Sequence, residues 1–577
     1  LPPQAQVVPP RPLPGAMMIC LLSNRWRLPP PESLTWQGVL QGHYFDTGRT
    51  RSRVGPRCRL VSSRDPVSGE VETWLTVALN SRYDGPGRQA HGRAPCNLIF
   101  ALDVSGSMAY PFAEDASGPS KLEAAKAALG RALERLRPED AAAVLTFAST
   151  VSVESAASRP AGALGAAERL QAAVHTLGVR RGTCFLSGFE AACRLAIEGR
   201  QASRPPTVPW CHELQEKLLP ASQRGALFLL WALHEGPGLP SACAALVLGF
   251  LEVRELACWS AAAAPEVVPE TRVFFMTDGY IPPNTRMAES LLEVIKHAAT
   301  EHNILTTLVG VDVDFDGAFT DQLLRVHGAS CFSVHSSRAC WQYLGEELDY
   351  RVSPCAFDVQ LCLEGPPDFK TGHGTHFYGI RQLLPPEPWA AGVLCQASLF
   401  PAPADARGQT RGSLLLCRLP GRPPCGQLQL VVSYAPSGGG PRTELAEEVD
   451  LNAVADPASL KGIALVRFVN IVRGYLGDMR AMPPTPSLSL LTGLWHPPHS
   501  GVYADNSKAM RETERREALL AEAYVGMFAA VRAQLEAVQA DLEALGDPDA
   551  DLSQWCGKLL ALERSCRDFV ETYASTV

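Results

Sequence analysis

The chain has 577 residues, of which 46% are hydrophobic and 19% are charged, and this composition is typical of a globular protein with several domains. Its formal net charge is −8 and it contains no basic block, which argues against binding to nucleic acid or to an anionic membrane surface. No stretch reaches the about 18 uninterrupted apolar residues of a membrane-spanning helix, so we expect a soluble chain.

The 17 cysteines are scattered along the chain, and none of them forms a C-x-x-C pair. A disulfide framework or a zinc cluster would show tighter spacing, so we expect reduced thiols and a cytoplasmic location. The sequence begins at Leu1 and not at Met, and the alternative is an extracellular protein whose signal peptide precedes this residue.

Residues 1–34 are rich in proline and predict a disordered lead. Residues 35–94 contain strand-like pieces, notably E-T-W-L-T-V-A-L at 72–79, followed by the turn signal D-G-P-G at 84–87. These β segments carry no obvious chemistry of their own.

From residue 95 to residue 337, apolar strand-like runs alternate with amphipathic helices. The strands are predicted at 97–102, 141–147, 151–154, 272–276, 304–311 and 331–334, and the helices at 121–137, 166–177, 185–198, 286–301 and 319–326. This alternation predicts an α/β fold, a doubly wound and mainly parallel sheet with helices on both faces. Between about 200 and 271 it is interrupted by Pro-rich joints and apolar pieces. They fit either a helical insertion or sequence outside the folded module.

Short strands return after residue 350, and Pro and Gly turns separate them. They are predicted at 357–363, 377–383, 393–400, 413–418 and 427–434. This pattern predicts a β-sandwich-like domain at 350–450, which the segments at 35–94 complete, so that the α/β module is inserted into a β domain. Residues 455–577 are predicted to be helical, with a C-terminal α-hairpin formed by 512–545 and 552–573.

Small polar residues lie at the ends of two predicted strands and before one predicted helix. Asp103, Ser105 and Ser107 follow the first strand, Thr183 precedes a helix, and Asp278 ends the strand at 272–276. Ligands of such sheets bind at the carboxyl ends of the strands. Carboxylate and hydroxyl oxygens are hard ligands that suit a divalent cation such as Mg2+. The alternative is a set of capped loops without a metal, because Asp and Ser also favour turns and helix N-caps.

The motif parts D-V-S-G-S, R-G-T-C and R-V-F-F-M-T-D-G occur in this order, and with them residues 95–337 resemble the von Willebrand factor type A domain and its metal-ion-dependent adhesion site. The resemblance implies that Ser105, Ser107 and Thr183 coordinate Mg2+, Mn2+ or Ca2+ directly. It implies also that Asp103 and Asp278 act largely through water. A coordination position left open would accept an Asp or Glu carboxylate from a partner protein.

The acidic run D-V-D-F-D-G begins at Asp312 like a calcium-binding EF-hand loop. Its twelfth position is Leu323 and not Glu, and a predicted strand precedes it, so we expect a solvated loop. Phosphate-binding loops, H-E-x-x-H pairs and nucleophile elbows were not found in the sequence.

We therefore expect no catalysis and a metal-dependent protein-binding scaffold, whose oligomeric state the sequence does not give. Two alternatives follow from loose resemblances. One is a secreted protein similar to the inter-alpha-trypsin-inhibitor heavy chains, which the flanking β segments and helical tail resemble. The other is a regulatory subunit of a chelatase- or ATPase-type complex, because such machines also use this domain.

Overall fold

The computed structural model describes most of the chain between residues 34 and 546. The described residues are 31, 34–113, 115, 117–155, 166–203, 270–282, 285–313, 315, 317–365, 376–379, 393–419, 427–437, 440–451, 455–481, 507–546, 557 and 564. The predicted Pro-rich lead, the insertion at about 200–271 and the second helix of the C-terminal hairpin lie wholly or largely outside them.

Sixteen strands occur in the described part of the chain. In chain order they are β1 (Tyr44–Phe45), β2 (Gly55–Arg64), β3 (Val71–Asn80), β4 (Cys96–Asp103), β5 (Ala141–Phe147), β6 (Val151–Ser155), β7 (Glu270–Thr277), β8 (Ile304–Val311), β9 (Ser330–Val334), β10 (Ala356–Glu364), β11 (His376–Tyr378), β12 (Val393–Leu399), β13 (Thr410–Arg411), β14 (Leu414–Leu419), β15 (Gln429–Pro436) and β16 (Thr443–Glu448).

The helices flank the strands in both halves of the chain. In chain order they are α1 (Trp36–Gly42), α2 (Gly87–His91), α3 (Lys121–Glu134), α4 (Ala166–His175), α5 (Phe185–Ser203), α6 (Arg286–His302), α7 (Gly317–Leu323), α8 (Ser337–Cys340), α9 (Leu348–Val352), α10 (Pro457–Ala481) and α11 (Ser507–Ala544). A 3-10 turn spans Gly106–Ala109, and a π-helical turn spans Trp341–Glu346.

The central sheet has six strands in the order β6-β5-β4-β7-β8-β9. Strands β5, β4, β7, β8 and β9 run parallel, and β6 pairs antiparallel with β5 at one edge. The predicted mainly parallel sheet is therefore confirmed, with one antiparallel edge strand. The chain passes from β4 to β5 on one side and returns to β7 on the other, so the order of the strands reverses at β4. Open α/β sheets bind ligands at such a point.

Strand β4 is buried along its whole length because both faces of the sheet are covered. Leu98, Phe100 and Leu102 pack with α3 and α4 on one face. Ile99 and Ala101 alternate with them and pack with α5 and α6 on the other face. This period of two, in a continuous apolar run, is why the strand can be recognised in the sequence.

Helix α3 begins beside the segment that follows β4, where the backbone N–H of Lys121 donates to the carbonyl oxygen of Tyr110 at 2.9 Å. Ser120 is its N-cap, and its hydroxyl accepts a hydrogen bond of 3.2 Å from the backbone N–H of Glu123. This is the S-x-x-E pattern typical of a helix start. The cap makes Lys121 the first residue of the helix and directs the N-terminal end of α3 toward the carboxyl edge of the sheet.

Two further four-stranded sheets, β12-β10-β15-β16 and β11-β14-β3-β2, lie face to face. Their shared core includes Leu75 and Val77 of β3, Leu361 of β10 and Val432 of β15. Strands β2 and β3 precede the α/β module in the chain, whereas their neighbour β14 follows it, so this β region is built from both sides of the module.

The outer face of the sheet β11-β14-β3-β2 is covered by helices. Trp74 and Leu416 pack against α10, which in turn packs against Phe528 and Leu535 of α11. In the described residues, no helix is both long enough and apolar enough to cross a bilayer.

Buried arginines tie the amino-terminal edge of the central sheet to α9. Arg93 pairs with Asp140 at 2.5 Å and with Asp349 at 2.8 Å, and the side chains of Arg93 and Asp140 are 0% exposed. Arg272 of β7 donates to the carbonyl oxygen of Val352 at 2.6 Å. Only residues 353–355 separate α9 from β10, so the two regions are joined by a short, bonded connection.

We predict that Asp140→Ala destabilises the chain by about 3–5 kcal/mol, because it leaves the buried Arg93 guanidinium with part of its charge uncompensated. Urea unfolding followed by fluorescence measures the change. Glu134→Ala is the matched control, since Glu134 pairs with Arg131 at the surface and its side chain is 52% exposed. An unfolding midpoint of Asp140→Ala equal to that of the control would contradict the structural role.

Asp84 gives a pH-dependent prediction. Burial raises the pKa of its carboxyl group from 3.8 to about 6, although the backbone N–H groups of Ala402 and Ser81 donate to it. The folded state therefore holds the proton more strongly than the unfolded state, and stability is lost as the pH rises through about 6. Unfolding free energies should be measured at pH 4, 5, 6 and 7. The stability of Asp84→Asn relative to that of the wild type should increase as the pH rises across this range. A difference that does not change with pH would sink the prediction.

Candidate functional site

The polar residues predicted from the sequence meet at the carboxyl ends of β4 and β7, which are adjacent parallel strands. Asp103 is the last residue of β4, and Ser105 and Ser107 lie in the following loop and 3-10 turn. Asp278 comes directly after Thr277, the last residue of β7. The sheet register thus brings together residues that are 171 positions apart in the sequence.

Three oxygen atoms from these loops form a continuous chain of contacts. The hydroxyl oxygens of Ser105 and Ser107 are 3.1 Å apart, and the Ser107 hydroxyl donates to Oδ1 of Asp278 at 2.8 Å. The Asp278 side chain is only 1% exposed, whereas Ser107 is exposed. A buried carboxylate therefore lies beneath a hydroxyl group that reaches solvent.

Asp103 is fully buried, and the protein holds both of its carboxylate oxygens. Oδ1 accepts the backbone N–H of Ser105 at 2.8 Å, and Oδ2 accepts the hydroxyl of Thr277 at 2.6 Å. Burial raises the pKa of the Asp103 carboxyl group; the two hydrogen bonds oppose this shift, and the nearby Asp278 adds to it. These contacts fix the loop after β4 against the end of β7.

Lys121 supplies a positive charge inside the site. Its ammonium nitrogen lies 2.7 Å from Oδ2 of Asp278, and its side chain is 11% exposed. The two oxygens of Asp278 are thus divided between a hydroxyl group from β4's loop and an ammonium group from α3. The cap at Ser120 sets the position of this ammonium group, because Lys121 is the first residue of the helix.

Thr183 lies in a loop that docks against the same edge of the sheet. The backbone N–H of Arg180 donates to Val104 at 2.6 Å, and that of Cys184 donates to Ala148 at 2.8 Å. Gly182 has φ +76°, in the left-handed region that favours glycine. Thr183 itself is exposed, and among the described residues no hydrogen bond joins its hydroxyl to the other four site residues.

Asp312, at the end of β8, is the first residue of the predicted solvated loop. It is held closely instead: Oδ2 accepts the backbone N–H of Ala113 at 3.0 Å, and φ is +59°. Burial raises the pKa of its carboxyl group, while the nearby Lys121 lowers it. Asp314 and Asp316 lie outside the described residues, so the prediction of a solvated loop stays open for them.

The donor set is chemically suited to a hard dication. Adjacent oxygen ligands around Mg2+ are about 3 Å apart when each Mg–O distance is about 2.1 Å, and the contacts between Ser105, Ser107 and Asp278 have this spacing. Across the described residues, no group of three or more His, Cys, Asp or Glu side chains that would hold a metal occurs. Any ion here would therefore depend on hydroxyl groups as well as on two carboxylates.

Residues 98–210 match the family model of the von Willebrand factor type A domain. The matched residues begin in β4 and include the following loop and 3-10 turn, which contain Ser105 and Ser107. The chain contains a von Willebrand factor type A domain. The match includes four of the predicted site residues and ends before Asp278. No curated protein sequence matches the chain.

Solved structures align with this chain at low identities and low TM-scores. A von Willebrand factor type A protein from Catenulispora acidiphila is 12% identical with a TM-score of 0.37, covering 87% of this chain and 89% of that one. The ArnB paralog VWA2 from Sulfolobus acidocaldarius is 10% identical with a TM-score of 0.30, covering 88% and 98%. The manganese-loaded TRAP protein of Plasmodium vivax is 11% identical with a TM-score of 0.25, covering 62% and 94%. The von Willebrand factor type A domain is assigned from the family model at residues 98–210 and from the order of the strands in the sheet.

Sequence reasoning missed two residues of the von Willebrand factor type A domain that shape the site. Thr277 was visible as a polar residue at the end of an apolar strand, immediately before Asp278. Lys121 gave no comparable signal, because a lysine in a first helical turn is ordinarily a surface residue. Only the fold brings its ammonium group to a carboxylate from a distant strand.

We predict that Thr277→Val destabilises the chain by about 1–3 kcal/mol, because the buried Asp103 carboxylate loses its 2.6 Å donor. The backbone N–H of Gly279 loses its acceptor in the same variant. Chemical unfolding measures the change, with Thr300→Val as the control, since Thr300 is exposed on α6. Equal unfolding free energies for the two variants would show that the Thr277 hydroxyl does not support the loop.

Proposed function

We propose that this chain is a metal-dependent protein-binding module without catalysis of its own. In this proposal Ser105, Ser107 and Thr183 hold Mg2+ or Mn2+ directly, and Asp103 and Asp278 hold it largely through water. The bound ion supplies an open coordination position that accepts an Asp or Glu carboxylate from a partner protein. The chain is then a scaffold whose contact with its partner depends on the metal.

The chain of contacts from the Ser105 hydroxyl through the Ser107 hydroxyl to Oδ1 of Asp278 carries the proposal. Hydroxyl groups are neutral donors, so two carboxylates balance the two charges of the ion and further acidic ligands are not needed. An ion held in this way keeps an affinity for an external anion. Ser107 is exposed, so an ion bound to its hydroxyl group would be accessible to a partner.

The described cysteines support a reducing environment for the protein. Nine of them are free thiols, and burial raises the pKa of Cys340 and of Cys355 to about 12. Buried thiols with a raised pKa, such as Cys340 and Cys355, are inert core residues. We therefore propose a cytoplasmic location.

The first test is the response of the melting temperature to metal. Wild-type protein should melt at a higher temperature in Mg2+ or Mn2+ than in chelator, because an ion that binds only the folded state stabilises it. Asp103→Ala should abolish this response. Asp46→Ala is the matched control, since Asp46 is an exposed carboxylate of the β region and its removal changes the net charge equally.

The same proteins then serve as bait in pull-downs with and without Mg2+. A partner held by the proposed contact should be retained by wild type and by Asp46→Ala only when Mg2+ is present. Identical melting curves in metal and in chelator, together with partner binding that ignores Mg2+, would rule out the proposed function.

Lys121 provides a second, independent prediction. Lys121→Met removes a positive charge from beside Asp278, so Mg2+ should bind at least about tenfold more tightly, since a unit charge near a dication is costly even at an effective dielectric constant of about 20. In chelator the variant should melt below wild type. Metal titrations followed by calorimetry measure both effects.

Lys126→Met is the control for Lys121→Met. Lys126 lies on the same helix, is similarly buried, and pairs with Glu123 and the Leu177 carbonyl oxygen instead of with a site residue. It should destabilise the fold without changing the affinity for Mg2+. Unaltered Mg2+ affinity in Lys121→Met would mean that its ammonium group does not oppose the metal.

A further inference from the structure

The loops around the site carry an unusual share of exposed apolar side chains. Tyr110 is 68% exposed, Tyr280 is 53% exposed and Val179 is 48% exposed. The other large apolar residues that are exposed in the described part of the chain lie in the turn between β2 and β3, at the start of β3, on β6 and in the π-helical turn. Single exposed apolar residues are ordinary, but three on the loops of one site call for an explanation.

Each of these three residues is fixed close to a site residue by the backbone. Tyr110 follows the turn that holds Ser107, and its carbonyl oxygen accepts the backbone N–H of Lys121 at 2.9 Å. Tyr280 comes two residues after Asp278. Val179 precedes Arg180, whose backbone N–H donates to Val104 between Asp103 and Ser105. Tyr110, Val179 and Tyr280 are called the apolar rim below.

Positive charge accompanies the apolar rim. Arg180 and Arg181 follow Val179 directly, and both are exposed. The backbone carbonyl oxygen of Arg181 accepts from Ser149 at 3.1 Å, which holds this loop on the end of β5. Tyr and Arg are the side chains that most often dominate the energy of protein interfaces.

We propose that the apolar rim selects an extended segment of another protein. In this segment an aromatic or aliphatic residue lies within two positions of the metal-binding Asp or Glu. Further acidic residues of the segment face Arg180 and Arg181. This inference depends on the proposed function, because the carboxylate of that segment occupies the metal. The charge of Arg180 and Arg181 favours an acidic occupant over a basic or neutral one.

Selection of random seven-residue peptides displayed on phage tests this proposal. Full-length wild-type protein in Mg2+ should enrich acidic residues, and should enrich aromatic or aliphatic residues beside them. The double variant Tyr110→Ser, Tyr280→Ser should keep the acidic enrichment and lose the apolar one. It should bind a peptide selected on wild type roughly thirtyfold more weakly, the effect of a hot-spot residue.

The double variant Val67→Ser, Val71→Ser is the matched control, because these residues are 46% and 62% exposed and lie in the β region. Its selected peptides should be the same as those of wild type. Metal-induced melting shifts should be equal in all three proteins, which separates loss of the rim from loss of the ion.

The outcomes distinguish the inference from the proposed function. Acidic enrichment without apolar neighbours would overturn the role of the apolar rim and leave metal-dependent binding standing. If the selected peptides are not enriched in acidic residues, and the protein has the same melting temperature in metal and in chelator, both the role of the apolar rim and the proposed function would be overturned. A dimer in sedimentation that the rim variant dissociates would identify a second copy as the occupant and overturn the assignment to another protein.

Discussion

The complete burial of β4 is the constraint on which the rest of the structure depends. Every side chain of this strand is covered, by α3 and α4 on one face and by α5 and α6 on the other. Polar chemistry can therefore begin only where the strand ends, at Asp103. Because β5 and β7 flank β4 and run parallel to it, their loops emerge at the same edge. A site at this edge follows from the burial of the strand.

The site combines charges that burial would otherwise make costly. Asp103 and Asp278 are close together beneath the surface, and burial together with the charge of Asp278 raises the pKa of Asp103. Thr277 donates to one and Lys121 pairs with the other, so neither carboxylate is left without a partner. The N-terminal end of α3 adds the positive end of its dipole at the same place. The protein thus supplies its own counter-charge where a dication is proposed to bind.

Much of the central sheet could be predicted because its strands are continuous apolar runs. Strands β5 and β8 have the predicted bounds, 141–147 and 304–311. Strand β16 was missed, since T-E-L-A-E-E has few of the residues that favour strands and lies at the end of its sheet. Helix α1 was missed as well, because its seven residues are too few to show a clear helical period.

The candidate site could also be predicted only in part from the sequence. Asp103, Ser105 and Ser107 could be found because they occupy alternate positions of one short segment after an apolar run, and Asp278 because it follows an apolar strand. The structure brings the side chains of these residues together, whereas it leaves the Thr183 hydroxyl unbonded to them among the described contacts. The pairing of Lys121 with Asp278 depends on a separation of more than 150 residues, which local pattern does not reveal.

The buried arginines at the opposite end of the sheet have a mechanical consequence. Arg93 and Arg272 fasten the beginnings of β4 and β7 to α9, which leads after three residues into β10. A pull on a partner at the carboxyl edge would load β4 and β7 along their length. Their hydrogen bonds to neighbouring strands would then share the force in shear and not open one at a time. The tension would then reach the β region through α9 and the three residues that follow it, so the two regions would bear the load in series.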